Sequence, residues 1–286
     1  MSIVSGKTSL NGLGKVSPVA AGKTGLLALI ITLPFLDTWT VLARQWLVMD
    51  HELAHGSVIA LATLWFIYRL GAQTERQAVL SSNLWLGSFL VVGFTVLATL
   101  SQRVGLDVIA QISLVALLYG LVLIFFPQAH WIEAGKVVGL LVFALQAWAY
   151  GNDILLLLAS AVVGEAVSWL SIPTLIDGNS ITIPYGIMLI ADGCSGLRYF
   201  VISLALAWML AILNRYTLAM TALALLAAAV LALIANWIRI YALILVGYFS
   251  EMQSSLVYEH ETFGWVLFAA MILPAIYFAP QPRRAE

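Results

Sequence analysis

One cysteine, Cys194, stands in a chain of 286 residues. An intramolecular disulfide is therefore impossible, and a thiolate metal cluster has no ligands to draw on. Charge is scarce as well: Asp, Glu, Lys and Arg make up 9% of the chain, whereas a soluble domain needs about 25% to cover its surface. Neither sign dominates, since 13 Lys and Arg face 14 Asp and Glu for a formal charge of −1. No basic field is available to hold nucleic acid, which excludes that partner class. Internal repeats, low-complexity tracts and a polar second domain are also missing from the sequence.

What the chain has instead is hydrocarbon: 62% of its residues are hydrophobic and its mean hydropathy is +1.00. The apolar residues fall in runs of about 14 to 22, the length that crosses a hydrocarbon core of about 30 Å. The composition specifies an all-α polytopic membrane protein. Runs bounded by charges or turn residues lie near Gly25–Ala43, Ser57–Leu70, Asn83–Leu100, Asp107–Phe126, Val137–Tyr150, Ile154–Leu170, Gly196–Asn214, Thr217–Ile238 and Phe263–Phe278. The first run continues through Asp37 and Trp39 to Arg44 without a small-residue cleavage site, so it is expected to stay as an uncleaved span. Residues 1–24 form an expected disordered cytoplasmic tail, 25–280 one integral-membrane domain, and 281–286 a second cytoplasmic tail.

Positive charges before the first run (Lys7, Lys15, Lys23), after the second (Arg69, Arg76) and at the end (Arg283, Arg284) place both termini in the cytoplasm by the positive-inside rule. Both termini on one side demand an even number of crossings, so one run must not cross. Ile154–Leu170, which carries Glu165 and Ser168 behind the Gly151-Asn152-Asp153 break, is the expected interfacial helix on the outer side. Excluding Val137–Tyr150 instead gives the same parity. About eight spans remain. Between 171 and 194 the texture changes: β-branched residues flank Asp177-Gly178-Asn179, the signature of a short extracytoplasmic hairpin.

Most cations lie at span ends, where they anchor and snorkel. Three polar clusters resist that account. In Asp192-Gly193-Cys194-Ser195-Gly196-Leu197-Arg198 the cysteine precedes a helix N-terminus, whose N–H groups and dipole favour a thiolate and can receive an oxyanion. Arg198, four residues on, is expected over the same helix face as Cys194. Asn236 and Arg239 share a face near the outer end of a long apolar run. Glu259-His260-Glu261 precedes Gly264, Trp265 and Phe268 at the start of the last run. The topology, built without these residues, brings all three clusters to the outer surface. Cys, His and Arg there supply a nucleophile, a proton-transfer group and a cation for an oxyanion, the parts of an acyl-transfer site. Asp50-His51-Glu52-Leu53-Ala54-His55-Gly56 carries a His-Glu-x-x-His pattern, but in a short loop with no third ligand, so His55 is expected at the rim of the site rather than on a metal.

Cys194-Ser195-Gly196-Leu197-Arg198, Asn236-x-x-Arg239 and His260-x-x-x-Gly264-Trp265-x-x-Phe268, in this order and spacing, resemble the exosortase/archaeosortase family of membrane-embedded cysteine transpeptidases; His55-Gly56 is similar to a further family feature. The resemblance implies an enzyme of the cell inner membrane, active on its extracytoplasmic face. Its substrates would be exported proteins that end in a sorting signal, typically a Pro-Glu-Pro-type motif followed by a transmembrane helix and a basic tail. It implies Cys194, Arg239 and His260 as catalytic residues, with Arg198, Asn236 and His55 in support. A cysteine mechanism requires neither metal nor organic cofactor. The implied partners are that exported protein and membrane lipid. Two other readings stay open at this level: a rhomboid-like serine protease using Ser195 within Gly193-Cys194-Ser195-Gly196, and a transporter holding an anion on Arg198 and Arg239.

Overall fold

The computed structural model describes residues 17–48, 52–74, 83–170, 172–177, 180–189, 194–258 and 260–280. The chain is mostly helical. Helix α1 (Pro18–Thr32) starts seven residues before the expected span, because Ser17 accepts a hydrogen bond from the Ala20 N–H and Pro18 occupies the first turn, where its missing N–H costs nothing. A 3-10 turn at Leu33–Phe35 separates it from α2 (Leu36–Leu47). Residues 18–24, expected in the disordered tail, are therefore helical; residues 1–16 lie outside the described residues.

Helices α3 (Gly56–Thr74), α4 (Leu84–Val104) and α5 (Asp107–Phe125) follow. Gly87 of α4 and Gly120 of α5 face each other so closely that a Cβ on either would lie 2.9 or 2.8 Å from the other's carbonyl oxygen. Small residues of this kind let membrane helices touch backbone to backbone, where lipid offers no hydrophobic drive to association. The outer face of α4, with Trp85, Phe89, Val92 and Val96, is exposed hydrocarbon. Helix α6 (Trp131–Gly139) runs on as a 3-10 helix to Ala144, and a second 3-10 segment, Gln146–Gly151, leads into α7 (Asn152–Ser168). After the sheet come α8 (Leu197–Leu213), α9 (Leu218–Phe249), the single turn α10 (Ser255–Tyr258) and α11 (His260–Tyr277).

Polar contacts sort the helix termini into two ends. At one end Lys23 donates to the Phe125 carbonyl, Lys136 to the Tyr216 carbonyl, and Tyr216 to the Pro280 carbonyl. At the other, Trp46 donates to Ala144 O, Gln102 to Thr38, and the Gln146 N–H to Gln111. Gly56 lies flat on the Trp46 indole, where any Cβ would overlap the ring. The chain therefore enters α1 and leaves α11 at the same end.

By length and composition, five helical stretches among the described residues can cross a membrane: Pro18–Leu47, Leu84–Val104, Asp107–Phe125, Gln146–Ser168 and Leu218–Phe249; Leu197–Leu213 and Thr262–Tyr277 are shorter apolar helices. The stretch containing α7 is thus long enough to cross, although it is the run expected to lie at the interface. Ala159, Val163 and Val167 of this stretch bury against Ile240 and Ile244 of α9 and against the sheet, not against the mid-bundle core.

The expected hairpin is a three-stranded antiparallel sheet, β1 (Leu175–Asp177), β2 (Ser180–Ile183) and β3 (Gly186–Leu189). β1 pairs with β2 with Asp177 opposite Ser180; Gly178 and Asn179 of the expected turn lie outside the described residues. Pro184-Tyr185 makes a second turn to a strand whose Gly186-Ile187-Met188-Leu189 lacks clean alternation. Ile181 and Ile183 point together into the α7–α9 cluster, as period-two residues must.

Candidate active site

Cys194 lies between the sheet and α8, two residues ahead of Gly196, and is half-buried with a free thiol. It packs at the edge of the cluster formed by Val163, Ile181, Ile240 and Ile244, so α7, the sheet and the top of α9 roof the region around it. Gly196 is the N-cap of α8 with φ +86, the left-handed region that L side chains rarely adopt. That reversal corrects one sequence expectation. Cys194 and Arg198 are not four apart on a continuous helix, because the helix begins at Leu197 after a left-handed residue. The charge of Arg198 instead acts on His55.

Asn236, on α9, fixes this turn. Its Nδ2 donates to the carbonyls of both Cys194 and Ser195 at 3.1 Å, and the residue is 4% exposed. The clip explains the glycine: a Cβ at Gly196 would sit 2.5 Å from Asn236 Cγ and 2.7 Å from Nδ2. Ser195 is buried and its Oγ accepts the Leu197 N–H at 3.2 Å. A hydroxyl employed as a helix-capping acceptor and closed to substrate is a poor nucleophile, which weighs against the serine-protease reading.

One turn along α9 from Asn236, Arg239 is 3% exposed. Its guanidinium carbon lies 5.3 Å from the centre of the Tyr199 ring, an orientation in which the aromatic face partly compensates a desolvated cation. Tyr199 is held in turn by Trp265 and Phe268 of α11, at 5.3 and 5.0 Å between ring centres. Gly264 admits the arginine to this contact. A Cβ there would come within 2.6 Å of Tyr199 Oη, 2.9 Å of Arg239 Cδ and 3.0 Å of Nη1. His260 occupies the first position of α11, one turn before Gly264 and on the same face; its side chain lies outside the described residues. The structure thus joins the Cys194 turn, Asn236, Arg239 and the Gly264 face of α11.

His55, in the turn before α3, is placed by a hydrogen bond between its Nε2 and the Phe143 carbonyl at 3.0 Å. A carbonyl only accepts, so Nε2 carries the proton. Burial, and secondarily the charge of Arg198, hold the imidazole pKa below its ordinary value, against backbone hydrogen bonds to Phe143 and Glu52 that pull it up. His55 therefore ties the turn before α3 to the 3-10 segment Leu140–Ala144 as a neutral ring. The His-Glu-x-x-His pattern is incomplete here because His51 lies outside the described residues. Tyr199 escaped the sequence reading: it follows Arg198 directly, but nothing in the sequence singles it out from the other tyrosines. A cavity of about 240 Å³ between α8, α9 and α11, near Ser203 and Pro280, is lined almost wholly by hydrocarbon and holds none of these residues.

Residues 44–277 match the family model described as transmembrane exosortase. No curated protein and no solved structure matches the chain. The matched region begins ahead of His55, ends at the close of α11, and contains every element of the site described above. With that match over most of its length, the chain belongs to the transmembrane exosortase family.

Proposed function

We propose that this protein is a cysteine protease and transpeptidase of the cell inner membrane that removes the C-terminal sorting signal of exported proteins. The observation that carries the reading is the Asn236 clip, which fixes the Cys194 peptide to α9 one helical turn from the buried guanidinium of Arg239. The helix geometry supports an interfacial site. At about 1.5 Å per residue, Arg239 lies about 30 Å from the start of α9, the thickness of the hydrocarbon core. The ten residues beyond it, with α7 and the sheet, then stand outside the membrane. Lys23, Arg69, Lys136 and Arg215 gather at the opposite end, which supports a cytoplasmic assignment for it by the positive-inside rule. In this arrangement α1–α2, α3, α4, α5, α6 with its 3-10 extension, α8, α9 and α11 make about eight crossings.

In the reaction, the Cys194 sulfur forms a bond to the scissile carbonyl carbon, and the resulting oxyanion is stabilised by the Arg239 guanidinium. The carbon–nitrogen bond then breaks as His260 protonates the leaving amine, releasing the transmembrane tail and leaving a thioester. His260 next takes a proton from the acceptor, which attacks the thioester and returns the thiolate. Water in that role gives hydrolysis and another nucleophile gives transfer. The substrate partner is an exported protein whose own C-terminal helix lies in the membrane beside α8 and α9. Co-expression with a Pro-Glu-Pro-tailed protein tests the reading: the tail is lost with intact enzyme and kept with Cys194→Ala, while full processing by that variant would end the nucleophile assignment.

A further inference from the structure

At the end of the bundle opposite Cys194, a pocket of about 100 Å³ opens between α3, α6 and the turn joining α8 to α9. Its polar wall comes from Arg69, Gln73, Glu133 and Arg215, and its apolar wall includes Trp65 and Leu213. None of these residues serves the chemistry described above. Two guanidinium groups reach it from separate elements. The Arg69 guanidinium carbon lies over the Trp65 ring, 5.1 Å from its centre. Arg215 adopts a left-handed backbone conformation at φ +51 and extends across to donate to Gln73 at 3.4 Å. Among the described residues the one acid lining the pocket, Glu133, is already paired with Lys136 at 3.1 Å. No acid among the described residues pairs with either arginine, and their charge suits an anionic ligand. Trp65 and Leu213 at the mouth are 45% and 56% exposed, although both are large hydrophobes.

We infer that this pocket binds the phosphodiester headgroup of an anionic phospholipid, with the acyl chains lying along the exposed side chains of Trp65 and Leu213. Paired guanidinium groups match the flat, bidentate geometry of a phosphate. The adjoining hydrocarbon suits a ligand that carries its own chains, and basic pockets between membrane helices are the recurrent form of such sites. Lipid binding is the readout, so the inference stands or falls independently of peptidase activity.

The test uses delipidated full-length protein in neutral detergent, titrated with phosphatidylglycerol or phosphatidylcholine and read by native mass spectrometry. The intact protein is expected to prefer phosphatidylglycerol by at least about tenfold. Arg69→Gln with Arg215→Gln should abolish the preference, while Arg103→Gln at the far end of α4 leaves it unchanged. The pair Arg69→Lys and Arg215→Lys keeps the charge but not the fork, and should weaken the preference by about threefold or more; it decides the matter if the glutamine pair does not fold. Equal binding of the two lipids, or an undiminished preference in the substituted pairs, would overturn the inference. Millimolar inorganic phosphate should fail to displace the lipid; displacement would show a phosphate site without lipid specificity and overturn the assignment to lipid.

Discussion

Substituting alanine for Gly196 tests how Cys194 is held. Two costs arise at once. The φ of +86 is unfavourable for any residue with a Cβ by about 1–2 kcal/mol, and that Cβ would overlap Asn236 at 2.5 Å from Cγ and 2.7 Å from Nδ2. Overpacking of this kind adds about 1–3 kcal/mol. Asn236→Ala has a different cost, since it leaves the carbonyls of Cys194 and Ser195 without their donor, at about 1–3 kcal/mol each if no water enters. The two changes are not independent. Removing the amide takes away the two nearest obstacles and leaves the Asn236 Cβ, 2.9 Å from the new methyl. The double variant should therefore be less damaged than the sum of the single ones, with a coupling of about 1–3 kcal/mol, whereas unconnected sites add within about 0.5 kcal/mol. Thermal unfolding in detergent, followed by tryptophan fluorescence, orders the four proteins, at about 2–4 °C per kcal/mol. Strict additivity would refute the clip, as would a Gly196→Ala variant that unfolds with the intact protein.

Two further outcomes follow from the same packing. Gly264→Ala should push the Arg239 guanidinium off Tyr199 and reduce substrate processing by about tenfold or more; adding Tyr199→Phe, which removes the nearest obstacle at 2.6 Å, should restore part of it, and absence of any restoration would deny that Gly264 acts through this contact. His55, whose pKa burial lowers in the folded protein, contributes stability that is complete above its unfolded value of about 6.5 and is lost as the pH falls below it, because the unfolded chain binds the proton more readily. Unfolding midpoints between about pH 7.5 and 5 should therefore fall less steeply in His55→Gln than in the intact protein. Parallel slopes would show that His55 is not buried as a neutral ring.

The sequence made the membrane class legible because hydrocarbon runs and scarce charge have one physical solution. The Cys194, Asn236–Arg239 and His260 clusters stood out for the same reason: polar groups beside long apolar runs are expensive and need a purpose. The spacing of Asn236 and Arg239 correctly implied a shared helix face, and in the structure one binds the Cys194 turn while the other meets α8 and α11. What spacing could not convey was the left-handed residue between Cys194 and Arg198. Periodicity assumes a continuous helix, and a glycine in that run reads as tolerated rather than as a reversal. The third strand was hidden because Gly186 and Met188 break the alternation that marks a strand. The role of Tyr199 depends on α8, α9 and α11 meeting, a tertiary fact with no local signature.

The central claim is a thioester on Cys194. Hydroxylamine, a nucleophile stronger than water, tests it most directly when added to membranes holding the enzyme and a tagged Pro-Glu-Pro-tailed substrate. The account predicts a released protein whose new C-terminus is a hydroxamate, identified by mass, with intact enzyme and with Cys194→Ala no release at all. Release of a carboxylate product alone, at equal rates from both enzymes, would contradict it.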